Sequence, residues 1–144
     1  MNRKRKERRK GFTLVELLVV IVIISMLAAL VAPNVFKKLT KAKKDLCLPK
    51  MSLVEQALQG FYLDCGRFPD DTEGLEALLT APEDVEDKWN GRYVKPSQLL
   101  DPWGNEFIYV SEGEYNPGSF DLISFGADGQ PEGEGDNEDI FNGM

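Results

Sequence analysis

The sequence predicts an α+β fold: a long N-terminal α-helix, half membrane-seeking and half amphipathic, joined to a small antiparallel β-sheet head. Three observations predict it. An apolar run broken by one acid extends from Phe12 to Val31, and apolar residues recur at 3.6-residue spacing from Leu53 to Cys65. The last third of the chain holds short strand-like segments between turn signals. A chain of 144 residues has room for one small domain beyond such a helix.

The leader, residues 1–11, holds Arg3, Lys4, Arg5, Lys6, Arg8, Arg9 and Lys10 against one acid, Glu7. A start this basic is retained in the cytoplasm by the positive-inside bias. Residues 12–33 come next as the hydrophobic transmembrane segment, since about 20 apolar residues span a bilayer core of roughly 30 Å. An ordinary secretory signal carries its small-residue cleavage site after a shorter apolar stretch. Here the small residue, Gly11, comes first. Lys10-Gly11-Phe12-Thr13-Leu14-Val15-Glu16 resembles the prepilin cleavage motif of the type IV pilin and type II secretion pseudopilin superfamily. The resemblance implies a dedicated peptidase that cuts after Gly11 and a mature chain that starts at an N-methylated Phe12.

Glu16 is the acid that breaks the run. A carboxylate near the membrane interior costs roughly 2.5–3.5 kcal/mol on insertion scales, so it marks a partner or a function. Cleavage after Gly11 supplies a partner, the new ammonium of Phe12, four residues earlier on the same helix and within reach inside one subunit or on a neighbour. By the resemblance the pairing is intermolecular and sets the register of assembly. The plainer alternative is a snorkelling acid at the end of a signal anchor.

Composition removes whole classes of function. The totals are 17 basic and 24 acidic residues; without the leader, 10 basic stand against 23 acidic, near −13. Nucleic acid is excluded as a partner, because phosphate binding needs concentrated Lys and Arg. The chain has no histidine, which removes the usual zinc and general-base chemistry. Nucleophile-elbow, phosphate-loop and dinucleotide glycine patterns are also missing. The expectation is a structural protein, not an enzyme.

Pro33 predicts a kink or local unwinding near Ala32–Asn34. Beyond it lie Lys37, Lys38, Lys41, Lys43 and Lys44, five basic residues against seven in the leader, which favours a cytoplasmic N-terminus and an external head. Residues 34–65 form the stem, with Leu53, Val54, Ala57, Leu58, Phe61, Tyr62 and Cys65 as its core stripe. Pro49 opens a second break or a fresh helix start. Cys47 and Cys65, 18 residues apart, would be roughly 27 Å apart on one helix, far beyond disulfide reach; they read as core or interface thiols unless Pro49 folds the stem back.

The head, residues 66–144, begins where Gly66 caps the stem and Pro69 stops it. A short helix fits Thr72–Leu79, with Asp70 and Glu73 at capping-box spacing. Lys88–Tyr93 and Asp101–Asn105 are turns. Glu106–Val110 and Phe120–Phe125 are strands around a hairpin loop at Tyr115–Gly118.

Leu63-Asp64-Cys65-Gly66-Arg67-Phe68-Pro69, Thr72-Glu73-Gly74-Leu75, Lys88-Trp89-Asn90-Gly91, Asp101-Pro102-Trp103-Gly104-Asn105 and Ser124-Phe125-Gly126-Ala127-Asp128-Gly129 together resemble the major pseudopilins of type II secretion systems, over nearly the whole chain from Lys10 onward. Cys65, Phe125 and Pro49 depart from that family's usual residues. The resemblance implies a pilin-like fold and a subunit that polymerises with itself into a periplasmic pseudopilus, helping to drive protein export across the outer membrane. It also implies a single-pass inner-membrane protein with its head in the periplasm. Its partners would be a prepilin peptidase, minor pseudopilins and an inner-membrane assembly platform. A type IV pilin or minor pilin-like subunit is the alternative, and a signal-anchored calcium-binding domain is one from another class.

Asp128, Glu132, Glu134, Asp136, Glu138 and Asp139 crowd into a dozen residues with Gly126, Gly129, Gly133 and Gly135 among them. Packed together these charges repel, and a hard divalent cation reverses the sign; calcium takes six to eight oxygens, and glycine lets carbonyls converge. By residues alone, a solvated acidic tail stands beside that reading. The family resemblance implies calcium, held by Asp128 and Asp136 with backbone oxygens near Phe125, Gln130 and Gly133.

Overall fold

The computed structural model describes residues 11–143; residues 1–10 of the expected leader, including Lys10 of the cleavage motif, lie outside them. A single α-helix, α1, runs Leu14–Cys65. The chain divides into two compact units at Leu39 and Thr40.

In the first unit, residues 11–31 are all exposed. An 18-residue window of α1 reaches a mean hydropathy of 3.0 with none of it buried. The one hydroxyl in its middle, Ser25, donates to the carbonyl of Ile21 at 2.7 Å, so it brings no unpaired polar group into an apolar surrounding. A helix packed in a soluble core hides such surface; this one presents it all round, which suits lipid or other copies of itself.

Neither proline unwinds α1. Both Pro33 and Pro49 lie inside the helix, so of the kink or unwinding expected near Ala32–Asn34 the unwinding is not found, and neither is a break or fresh helix start at Pro49. Proline removes one intrahelical hydrogen bond and frees the carbonyl four residues back. For Pro49 that carbonyl belongs to Asp45, and both residues are exposed, so water satisfies it at little cost.

In the second unit α1 buries Cys47, Met51, Val54, Ala57, Leu58, Phe61 and Cys65, a stripe with steps of three and four residues. Leu53 and Tyr62, placed in the stripe from spacing, are 47% and 46% exposed. Each follows or precedes a core position by one residue, about 100° around the helix, and so lies at the border. Because α1 is unbroken, Cys47 and Cys65 stay far apart; both are free and buried. Burial pushes the Cys47 thiol up to about 11, so it remains protonated and unreactive at neutral pH.

Gly66 takes φ 81° and its N–H donates to Tyr62 O at 2.8 Å, the expected left-handed cap. The expected capping box forms too: Asp70 Oδ1 accepts from Glu73 N at 2.9 Å and Glu73 Oε2 from Asp70 N at 2.9 Å. The element it opens is a 3₁₀ turn, Gly74–Leu78, shorter and tighter than the helix predicted over 72–79. Five residues add too few bonds to hold an α-helix, and tucking Ala77 and Leu78 into the core decides the local shape. Trp89 Nε1 donates to Ala77 O at 2.9 Å, and Tyr93 packs edge-on against Phe61 and Trp89. The head therefore leans on α1 through aromatic anchors.

The sheet has three antiparallel strands in the order β1 (Ile108–Val110), β2 (Asp121–Ser124) and β3 (Ile140–Phe141). The two expected strands are present, trimmed at their ends, with Tyr109 opposite Leu122. The third was not expected. Its two residues carry no periodicity, and they pair only because Ile123 and Ser124 offer an open edge.

Asp121 closes the hairpin. It is 1% exposed, and its carboxylate accepts from the N–H groups of Glu114, Tyr115 and Asn116 and from Asn116 Nδ2, at 2.7 to 2.9 Å. Burial works to raise its carboxyl, and these donors outweigh it and hold the group below the ordinary value. A carboxyl lowered on folding adds stability above its unfolded value near 4, which is lost as pH falls through the folded value. Asp121→Ala should cost about 3 kcal/mol in urea unfolding, since it leaves several buried donors unpaired. It should also flatten the fall in melting temperature of the parent below about pH 4.

Candidate functional site

At the N-terminal site Gly11 and Phe12 precede the helix, and Phe12 is 84% exposed. Glu16 sits in the first turn. Its Oε2 accepts from Thr13 N at 2.8 Å and Thr13 Oγ1 at 2.9 Å, while Thr13 Oγ1 accepts from Glu16 N at 3.2 Å. This is a capping box, Thr13-x-x-Glu16, and it satisfies two helix donors that have no partner inside the helix. The sequence displays that spacing, which the reading of Glu16 as an intramembrane charge overlooked. The start of α1 at Leu14 also corrects an expectation: Phe12 is not on the same helix as Glu16. The carboxylate bends back to Thr13, the residue next to Phe12.

The second site is the acidic loop, and the turn Asp101–Asn105 anchors it. Asp101 is 2% exposed; its Oδ1 accepts from the N–H groups of Trp103, Gly104 and Asn105, and its Oδ2 from Ser124 Oγ at 2.6 Å. Asn105 Nδ2 donates to Gly126 O at 2.8 Å. Two motifs about twenty residues apart in sequence thus lock together, and the end of β2 delivers the loop from a rigid base.

Within the loop Ala127 N donates to Asp136 O at 2.9 Å, which folds the chain back on itself. A Cβ at Gly126 would meet Asp136 O at 2.7 Å and Asn137 Cα at 2.8 Å, and one at Gly133 would collide with the Asn137 backbone. Both positions require glycine. Phe125 is half-buried, whereas Asp128, Gln130, Gly133 and Asp136 are exposed, and Asp128 Oδ1 accepts from Gln130 N at 3.1 Å. The turn brings the backbone beside Asp128 and that of Asp136 together. No three acidic, His or Cys side chains converge on one point among the described residues.

Asp139 was not among the expected ligands. Its Oδ2 accepts from Glu132 N at 3.0 Å, while Oδ1 is buried and has no hydrogen-bond partner. A buried carboxylate oxygen without a donor is costly and calls for a cation or water. Glu132 adds a second anomaly: it holds φ 65°, a left-handed backbone that costs a non-glycine residue about 1–2 kcal/mol. Nothing in the sequence marked it, because Asp139 precedes a strand that exists only through its pairing with β2. The oxygen donors, the glycine cradle and the orphaned oxygen suit a hard cation such as calcium.

Comparison with known proteins bears on the whole chain. The family model for type II secretion system (T2SS), protein G, matches residues 34–143, and that for the prokaryotic N-terminal methylation motif matches residues 6–32. The chain belongs to the type II secretion system protein G family. It is 39% identical to type II secretion system core protein G of Vibrio cholerae over 141 residues, covering 96% of this chain and 94% of that one. It is 36% identical to the Pseudomonas aeruginosa core protein G, covering 96% of this chain and 97% of that one. The crystal structure of the major pseudopilin from the type 2 secretion system of enterohaemorrhagic Escherichia coli aligns with a TM-score of 0.61 at 27% identity. That alignment covers 76% of this chain and 94% of that one. The expected pilin-like fold is borne out, and the alternatives of a type IV pilin and a signal-anchored binding domain give way. A member of the protein G family is a structural pseudopilin: it assembles into a pseudopilus with other secretion components, anchored in a membrane by its apolar helix.

Proposed function

We propose that this pseudopilin inserts in the inner membrane with its N-terminus cytoplasmic and its head periplasmic. A prepilin peptidase then cuts after Gly11, and the new amine of Phe12 is methylated. The mature subunit joins a homopolymeric filament with minor pseudopilins on an inner-membrane platform, the Phe12 ammonium of one copy meeting Glu16 of another. The observation that carries this reading is the wholly exposed apolar surface of residues 12–31 with one carboxylate at its start, capped and turned back toward Phe12. Lipid suits the subunit before assembly, and packing against other copies suits it afterwards.

Calcium is the second element of the proposal. Asp128 and Asp136, with backbone oxygens near Phe125, Gln130 and Gly133, would hold the ion in the loop. The ion would neutralise mutually repelling carboxylates and fasten β3 to the sheet. The unpartnered oxygen of Asp139 and the strained Glu132 support this assignment.

N-terminal sequencing and intact-mass measurement of membrane-extracted protein test the processing. The expected mature chain starts at Phe12 and is one methyl group heavier than its sequence. A protein retaining Met1 would overturn the processing. Gly11→Val should block cleavage, because a branched side chain obstructs the scissile bond, whereas loss of one leader charge should be tolerated.

A further inference from the structure

Charge in this chain is segregated. Beyond Gly11, five of the ten basic residues lie in residues 37–44, while 22 of 23 acids lie at Asp45 or later. On α1, Val35, Leu39 and Ala42 share one face at spacings of three and four; Lys38 borders it beside Ala42, and Lys41, about 60° further round, continues the row of lysines on that side. Val35 and Leu39 are 55% and 52% exposed, and Lys38 and Lys41 are exposed and make no ion pair among the described residues.

The head carries the complement. Between the turn Gly74–Leu78, the turn Pro96–Gln98 and β1 lies a cavity of about 490 Å³, with Leu75, Leu79, Leu99 and Ile108 in its apolar lining. Glu76 and Glu106 line it as well; both are exposed and unpaired by any cation among the described residues. Nothing in the processing or metal chemistry above uses this groove.

We propose that the groove is a subunit–subunit socket: it takes the Val35–Ala42 face of α1 from a second copy, with Lys38 and Lys41 over Glu76 and Glu106. This deepens the pseudopilus reading and rests on it. Charge complementarity selects the occupant, because the lysine-edged stripe has the two components the groove asks for, apolar surface and unpaired positive charge. The contact is heterologous, groove on one copy and helix on the next, so it repeats along a chain of subunits instead of closing a pair.

Charge reversal in the full-length protein, with filament yield from membranes as the readout, tests the contact. Glu76→Lys with Glu106→Lys, and separately Lys38→Glu with Lys41→Glu, should each lower yield about tenfold through like-charge juxtaposition. The four changes together should restore it to within about twofold of the parent. All four side chains are exposed, and unchanged melting of each variant confirms that the fold is intact. Two parent-like single-side variants, or a fourfold variant no better than the worse of them, would overturn the socket. A lysine variant that loses retention on anionic vesicles and is not rescued would assign the lysines to lipid headgroups and overturn it too. If the parent itself forms no filament, the pseudopilus reading fails first, and that outcome is distinct from all of these.

Discussion

Glu16→Ala subunits should reach the membrane and then fail to polymerise. The substitution removes a carboxylate that costs roughly 2.5–3.5 kcal/mol in an apolar surrounding, so insertion is unchanged or slightly improved. It also removes the acceptor for Thr13 N and Thr13 Oγ1, at about 0.5–2 kcal/mol of cap stability. On the proposed pairing, assembly should stop because an incoming Phe12 ammonium loses its partner. Glu16→Gln separates the two roles, because glutamine completes a capping box and carries no charge. The glutamine variant should therefore fail as well. If it fills filaments and supports secretion like the parent, the cap is the whole role of Glu16 and the ammonium pairing is wrong.

Chelation should lower the melting temperature of the detergent-solubilised full chain by about 10 °C. Ion binding to the folded state adds RT ln(1 + [L]/Kd), about 2.7 kcal/mol at 100-fold excess over Kd, and a chain of this size moves by several degrees per kcal/mol. The site need be no tighter than roughly 10⁻⁴–10⁻³ M to fill in calcium-rich surroundings. Asp128→Ala and Asp136→Ala should each abolish the gain. Glu112→Ala, outside the loop, should change nothing. Without the ion, the segment from Ala127 to Asp139 should become the first site of protease cleavage. Equal melting with calcium and with chelator, with no ion bound, would leave only an acidic loop.

The parts of the fold that rest on neighbours in sequence were legible in the residues themselves. Gly66 as the helix cap, the Asp70 and Glu73 capping box, and the two strands around Asn116-Pro117-Gly118 all depend on residues within a few positions of one another, and all are present. The stem stripe was legible because a helix repeats itself, although its borders at Leu53 and Tyr62 were not, since only the packed head decides how wide the covered face is. The Thr13 and Glu16 cap was written in the same local code and missed because the charge drew the reading toward the membrane.

By itself the sequence determined the membrane-seeking helix, the basic start with its N-terminal methylation motif, the segregation of charge and the family, because composition, period and short motifs are properties of the chain that folding does not alter. Only the tertiary structure decided that α1 passes through Pro33 and Pro49, that Ile140-Phe141 becomes a third strand, and that one oxygen of the half-buried Asp139 is enclosed without a partner. Each of these turns on a partner distant in sequence or on whether a group faces water. The Asp45 carbonyl freed by Pro49 is harmless on an exposed face. The two residues of β3 pair only because β2 presents a free edge. Asp139 Oδ1 loses its solvent only in the folded loop, and the energy of that burial belongs to the folded shape, not to any residue read alone.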